Sequence, residues 1–136
     1  METLMECELY LPWPPSNNTY YRHVGHRTLL SRKAHAYRKA VLGMLKDRVL
    51  PEFTGEIELY AEFYPPDKRK RDLDNLLKGL QDTLQHAGLF RDDSQIVHLD
   101  IVKKEPHRPD GRAYVRIKDY VFPNQIHPLP DCPGLP

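Results

Sequence analysis

The chain has 136 residues with 20 Lys+Arg against 19 Asp+Glu, a formal charge of +1 with seven His neutral, so the overall balance by itself points to no partner. That length suits one domain of ordinary size, and 40% hydrophobic residues without any apolar run near the roughly 18 residues of a span exclude a transmembrane protein. Met1 to Glu8 carries acids where a secretory signal needs bases and an apolar stretch, and Cys7 and Cys132 make neither a disulfide framework nor a CxxC knuckle, so a reducing, cytoplasmic setting is expected.

A first strand is predicted over Cys7–Leu11, stopped by Pro12-Trp-Pro-Pro-Ser-Asn-Asn18, where three prolines fix φ and the Ser/Asn cluster favours turns. Tyr20 to Ser31 reads as a short extended excursion around Gly25. Ser31 then caps a helix from about Arg32 to Val49 with Ala34, Tyr37, Val41, Leu45 and Val49 on one face. Gly55–Tyr64 is the clearest strand, because Ile57, Leu59, Ala61 and Phe63 alternate with Glu56, Glu58, Tyr60 and Glu62. Past Pro65-Pro66 and a basic loop, Leu73, Leu76, Leu77, Leu80, Leu84 and Ala87 form the apolar stripe of a second helix, and Gly88 stands where a helix terminator belongs. Two further segments, Gln95–Lys104 and Arg112–Lys118, are separated by a Pro106–Gly111 turn and are expected to pair as a hairpin. The expected fold is therefore α+β, a single domain over residues 1–120 with a mixed β-sheet and two main helices on one of its faces. The remainder, 121–136, is a Pro-rich extended tail with five prolines in the last 14 residues.

The near-zero balance hides a segregation of charge. Between Tyr20 and Arg48 stand eight Lys/Arg and one acid, Asp47, whereas Val49 to Pro66 holds four Glu and no base. Lys68, Arg69, Lys70 and Arg71 add four consecutive cations in one loop, whose mutual repulsion an anion would relieve. A polyanion is the natural partner for such clusters. Trp13, Tyr20, Tyr21 and Tyr37 lie among them and offer stacking surfaces, or core packing.

Directly after the basic run comes Asp72-Leu-Asp74-Asn-Leu-Leu-Lys78, and one helix later Arg91-Asp92-Asp93-Ser94. Helix grammar alone makes Asp72 an N-cap, Asp74 a first-turn acid and Asp74/Lys78 an i,i+4 ion pair. A second reading makes Asp72 and Asp74, with Asp92 or Asp93, oxygen ligands of a hard divalent cation such as Mg²⁺. Paired carboxylates beside a cationic strip suit a metal-dependent nuclease, with Lys78 in reach of the phosphate. His23-x-x-His26 lacks regular zinc spacing. GxxxxGK[ST] and GxGxxG are absent, so no nucleotide cofactor is expected.

Leu11-Pro-Trp-Pro-Pro-Ser-Asn-Asn18, Arg69-Lys-Arg-Asp-Leu-Asp-Asn-Leu76 and Ala87-Gly-Leu-Phe-Arg-Asp-Asp-Ser-Gln95, in this order and spacing, resemble the RusA family of Holliday junction resolvases from about Leu9 to Ile117. The resemblance implies a small homodimeric, Mg²⁺-dependent endonuclease, with Mn²⁺ as a substitute, that nicks four-way DNA junctions in recombination and repair and is often encoded by phages and prophages. By position it makes Asp72, Asp74 and Asp93 the essential acids and metal ligands and Lys78 the catalytic lysine, and leaves Asp92 without a role. Lys68, Arg69, Lys70 and Arg71 become the DNA-backbone contacts, with Asn17 and Asn18 ordering the site edge or touching DNA. A non-catalytic nucleic-acid-binding module and a broader branched-DNA nuclease are the competing readings.

Overall fold

The computed structural model describes residues 4–122, so all but the first two residues of the proline-rich tail lie outside it. In chain order the elements are β1 (Glu6–Pro12), a single turn of helix α1 (Asn17–Tyr20), β2 (Tyr21–Val24), β3 (Arg27–Leu30), α2 (Arg32–Leu45), β4 (Ile57–Tyr64), α3 (Asp74–His86), a 3-10 turn (Asp93–Gln95), β5 (Ile96–Lys103) and β6 (Arg112–Asp119). Four strands form one mixed sheet in the order β1-β6-β4-β5, and β2 and β3 form a separate hairpin. The architecture is α+β, as the element order predicted.

Alternation decides what each strand buries. Ile57, Leu59, Ala61 and Phe63 of β4 are fully buried, as are Ala113, Val115 and Ile117 of β6 and Leu9 of β1. They share one core with Tyr37, Val41 and Leu45 of α2 and Leu76, Leu80 and Leu84 of α3, so both main helices cover the same sheet face. The other face stays open and carries Tyr60, Glu62 and Tyr64 on β4 with Arg112 and Arg116 on β6. There Glu62 accepts from both tyrosine hydroxyls, at 2.6 and 2.8 Å, and the two guanidinium groups lie 4.9 and 5.0 Å from the Tyr64 and Tyr60 ring centres.

Two helix-end signals read from the sequence hold, at the start of α2 and the end of α3. The Ser31 hydroxyl accepts from the Ala34 amide at 3.1 Å and starts α2. Gly88, at φ +88°, ends α3, with its amide donating to Gln85 O and that of Leu89 to Leu84 O, the paired bonds of a Schellman motif. No helix among the described residues is long and apolar enough to cross a membrane.

Three expectations need correction. β5 and β6 are not a hairpin: β5 runs parallel to β4, through the α3 crossover that a parallel pair requires, and β6 runs antiparallel to β4 on its other side. β4 buries its full alternating face and takes the centre, and the Lys104–Gly111 connection passes over its end, with the Lys104 and His107 amides donating to Phe63 O and Pro65 O at 2.8 Å. Helix α2 stops at Leu45 rather than Val49, and Val49 is wholly exposed at 102%. The Arg48 amide closes a tight turn onto Leu45 O, and the chain then leads to Pro51 and to Phe53, which is fully buried. Gln95 is not in β5 but ends the 3-10 turn.

Gly111 makes the return into β6 possible. It sits at φ +72°, and a Cβ there would lie 2.8 Å from Tyr64 O and 2.9 Å from the Pro66 nitrogen. Gly111→Ala is expected to lower folding stability by about 2 kcal/mol in denaturant or thermal unfolding. An unchanged midpoint would show that the connection is not held in this form.

Candidate active site

Loop Trp13–Ser16, helix α1 and the start of α3 meet at one edge of the helical layer, and a single buried tyrosine joins them. Tyr20 is fully buried. Its hydroxyl donates to Asp82 Oδ2 at 2.6 Å, exchanges a bond with Thr83 Oγ1 at 3.2 Å and accepts from Arg38 Nε at 3.0 Å. Arg38 also pairs with the Asp82 carboxylate, so α1, α2 and α3 are tied through one carboxylate. Desolvation, and the hydrogen bond it gives Asp82, raise the Tyr20 hydroxyl above its ordinary value, so it stays a donor. The ring approaches α3 closely because position 79 is glycine: a Cβ there would lie 2.8 Å from Tyr20 Cδ2. Periodicity predicted the apolar stripe of α3 but not this notch; Tyr20 takes the packing role rather than the stacking one, and Arg38, Gly79 and Asp82 were missed as contributors to the site.

With α1 held this way, Asn17 reaches α3. Its Nδ2 donates to the Asp74 backbone oxygen at 3.2 Å, while its Oδ1 is buried and has no hydrogen-bond partner among the described residues. An acceptor oxygen left free of protein donors calls for a cation, a water or a substrate donor. Asp72 and Asp74 are both exposed. The helix-grammar reading of them fails at the cap, since Leu73 occupies that position in helical conformation and no side chain caps α3. The Asp72 carboxylate is thus not consumed in starting the helix, whereas Asp74 stands in its first turn, as helix grammar predicts.

The basic run is partly neutralised by its own chain. Arg71 Nη1 binds Asp67 Oδ1 at 2.7 Å, and Arg69 lies 3.8 Å from the same carboxylate. Arg71, with the Arg69 amide, holds the Asp67 carboxyl down at about 2. Asp67 therefore offsets part of the four-cation run, and its place one residue before the run was visible in the sequence. Arg71 also lies 5.6 Å from the Trp13 ring centre, and Trp13 packs edge-on against Phe63, so this tryptophan buttresses the strip. Lys103 Nζ donates to Arg71 O at 3.1 Å and fixes the backbone there. Lys68, Arg69 and Lys70 remain exposed. A groove of about 470 Å³ runs between Trp13, Ser16, Arg69, Lys70, Arg71, Asp72 and Asn75.

Asp92 and Asp93 sit beyond the far end of α3. Asp92 Oδ1 accepts from the Ser94 amide at 3.2 Å, and Gln95 Oε1 accepts from the Asp92 amide at 3.0 Å, a complete capping box. Asp92 therefore has a structural role. Gln95 Nε2 donates to Phe53 O and Gly55 O at 2.8 and 2.9 Å and moors the turn that presents Asp93. Desolvation raises the Asp93 carboxyl above its ordinary value, Asp82 and Asp92 raise it further, and Lys78 opposes them. Asp93 thus lies within electrostatic reach of Lys78 and Asp82. Lys78 is exposed, with Nζ 5.4 Å from the Tyr21 ring centre.

Among the described residues no three His, Cys, Asp or Glu side chains gather closely enough to hold a metal ion between them. Asp72, Asp74 and Asp93 do not form a closed cage. The donors still fit Mg²⁺, which takes oxygen ligands, commonly only one or two protein carboxylates, and fills its octahedron with water and substrate phosphate. Exposed Asp72 and Asp74, with Asn17 bonded to the Asp74 backbone, offer such donors.

Residues 12–118 match the family model described as Endodeoxyribonuclease RusA. The chain is 42% identical over 110 residues to a crossover junction endodeoxyribonuclease RusA of Shigella sonnei and to one of Escherichia coli K12, covering 80% of this chain and 91% of each relative. It is 39% identical over 117 residues to a crossover junction endodeoxyribonuclease of Enterobacteria phage HK97, covering 84% of this chain and 95% of that relative.

Gly79→Ala tests the tyrosine anchor. The added methyl displaces the Tyr20 ring and is expected to cost about 2 kcal/mol in unfolding. Gly43→Ala in α2, where nothing lies within 4 Å of the new Cβ, is expected to be neutral or stabilising by up to about 1 kcal/mol. Equal midpoints for the two variants would contradict the anchor.

Proposed function

The chain belongs to the RusA endodeoxyribonuclease family, and from that premise we propose that it resolves four-way DNA junctions by paired nicks in recombination and repair, in the cytoplasm of a bacterial host, with a phage or prophage origin. The observation that carries this reading is the pair of exposed, uncapped carboxylates Asp72 and Asp74, set between a cationic groove and Lys78. Lys68, Arg69, Lys70 and Arg71 receive the DNA backbone, with Arg71 also bracing the strip through Asp67 and Trp13. Asn17 and Asn18 border the reacting phosphate. Asp72, Asp74 and Asp93 hold Mg²⁺, or Mn²⁺ in its place. When bound, that ion supplies Lewis-acid polarisation of the phosphodiester and favours ionisation of the attacking water. Lys78, one turn into α3 from Asp74, places its positive charge where negative charge develops on the phosphate as the bond breaks. No nucleotide cofactor enters the reaction.

A homodimer suits paired nicking, because a twofold assembly offers two equivalent sites to opposed strands. The β5 edge of the main sheet leaves Val97 and Leu99 exposed and is a surface that such a dimer would cover. The second reading, a DNA-binding module without hydrolysis, draws on the absence of a three-carboxylate cluster among the described residues.

Asp74→Asn separates the two. With Mg²⁺ and synthetic four-way junction, fork and plain duplex, the wild type is expected to nick the junction preferentially. Asp74→Asn is expected to bind it with similar affinity while cutting about a thousandfold more slowly. Undiminished cleavage by the variant would overturn the assignment, and a wild type that binds without nicking would establish the module. Equal cutting of fork and junction would make the protein a broader branched-DNA nuclease.

A further inference from the structure

The hairpin of β2 and β3 is not explained by the core. Every residue from Arg22 to Leu29 is exposed, and the hairpin forms its own two-stranded sheet. Its two-residue loop, Gly25-His26, holds Gly25 at φ +60°, which fits the tight turn of a stiff ribbon. Its base is fixed to α1, with the Ser31 amide donating to Tyr20 O at 2.9 Å and the Ser31 hydroxyl to Thr19 O. The ribbon therefore keeps a set position beside the site, and from Tyr20 to Lys46 the chain contains no acid.

Between the hairpin and α3 lies a cavity of about 420 Å³ lined by Asn17, Asn18, Tyr21, His23, Thr28 and Lys78. Each lining side chain carries a hydrogen-bond donor, one is a cation, and none is a carboxylate. His23 and Thr28 face each other across the ribbon, with Nδ1 and Oγ1 3.3 Å apart. The other imidazole nitrogen makes no hydrogen bond among the described residues. Cavities so lined select anions. Asn17 and Lys78 also belong to the carboxylate site, so an anion held here lies directly next to it. The Tyr21 ring already carries Lys78 Nζ at 5.4 Å, which favours a backbone phosphate over a stacked base as the occupant.

We infer that His23 and Thr28 of the hairpin form the far side of a second phosphodiester subsite, which binds the phosphate next to the cleaved one on the same DNA strand, with Asn18 and Lys78 standing between the two phosphates. The inference rests on the endonuclease reading. The hairpin then acts in positioning, since a strand held at two consecutive phosphates presents the scissile one to Asp72 and Asp74 in a fixed register.

The test uses the full chain, a four-way junction in metal-free buffer, and the variants His23→Ala, Thr28→Val and the double variant. Both positions are exposed, and valine keeps the β-branched shape, so thermal unfolding should match the wild type. Each single change is expected to weaken junction binding about tenfold, as for a lost hydrogen bond to a charged group. Calorimetric titration of the free protein with Mg²⁺ should not change. Neutral methylphosphonates are then placed one at a time on either side of the cleaved phosphate. One position is expected to weaken the wild type about tenfold and to leave the double variant unaffected. Variants that bind within about twofold of the wild type, or methylphosphonates that weaken both proteins equally at every position, would overturn the subsite while leaving the endonuclease reading intact. A wild type that neither binds nor nicks the junction would overturn both.

Discussion

The packing of Tyr20 onto Gly79, with its hydroxyl on Asp82, is the contact on which the rest of the site depends. It joins a single turn of helix, too short to be stable alone, to the one face of α3 that carries Asp74, Lys78 and Asp82. Arg38 adds α2 to the same carboxylate. Asn17 reaches Asp74 only because α1 is pinned three residues later, and the β2–β3 hairpin starts from the same tyrosine. Nearly every group proposed to meet DNA, other than the basic strip, is thus referred to one buried ring.

On the open face of the sheet, acids and bases offset each other. The acids of β4 lie on the open face near the late basic residues, Lys118 at 3.8 Å from Glu58 and Lys104 at 3.8 Å from Glu62. Exposed pairs of this length contribute little to stability. Their consequence is electrostatic: a large share of the acid that cancels the net charge of the chain sits on or beside the strands of the main sheet, away from the groove. The segment from Lys68 to Lys78 and the hairpin keep their positive character, moderated by Asp67. A formal charge of +1 is therefore compatible with a polyanion partner, because acids and bases offset each other on the open sheet face while the run from Tyr20 to Lys46 carries bases and no acid.

Much of this was legible in the sequence where the cause is local. The alternation in β4, the stripe of α3, the Ser31 cap and the Gly88 terminator each follow from side-chain period or backbone freedom within a few residues. Strand order was not, because β5 and β6 are separated by a loop that also suits a hairpin, and only long-range pairing puts β6 between β1 and β4. The Tyr20–Asp82 bond spans 62 residues of sequence and leaves no periodic trace. Asp67 was readable beside the basic run, whereas the mooring of the Asp93 turn by Gln95 depends on Phe53 and Gly55, some 40 residues earlier. The acidic and basic residues of the site were recognisable as types; what supports them is tertiary.

The central claim, that this edge of α3 and α1 is where a divalent ion and DNA meet, is tested most directly by paramagnetic broadening of backbone amide signals as Mn²⁺ is added to the isotope-labelled protein. The account predicts that Asn17, Asp72, Leu73, Asp74, Asn75 and Asp93 broaden first, while Glu58, Glu62 and their neighbours on the open sheet face stay sharp. Broadening that begins on the acidic face of β4 and spares the start of α3 would contradict it.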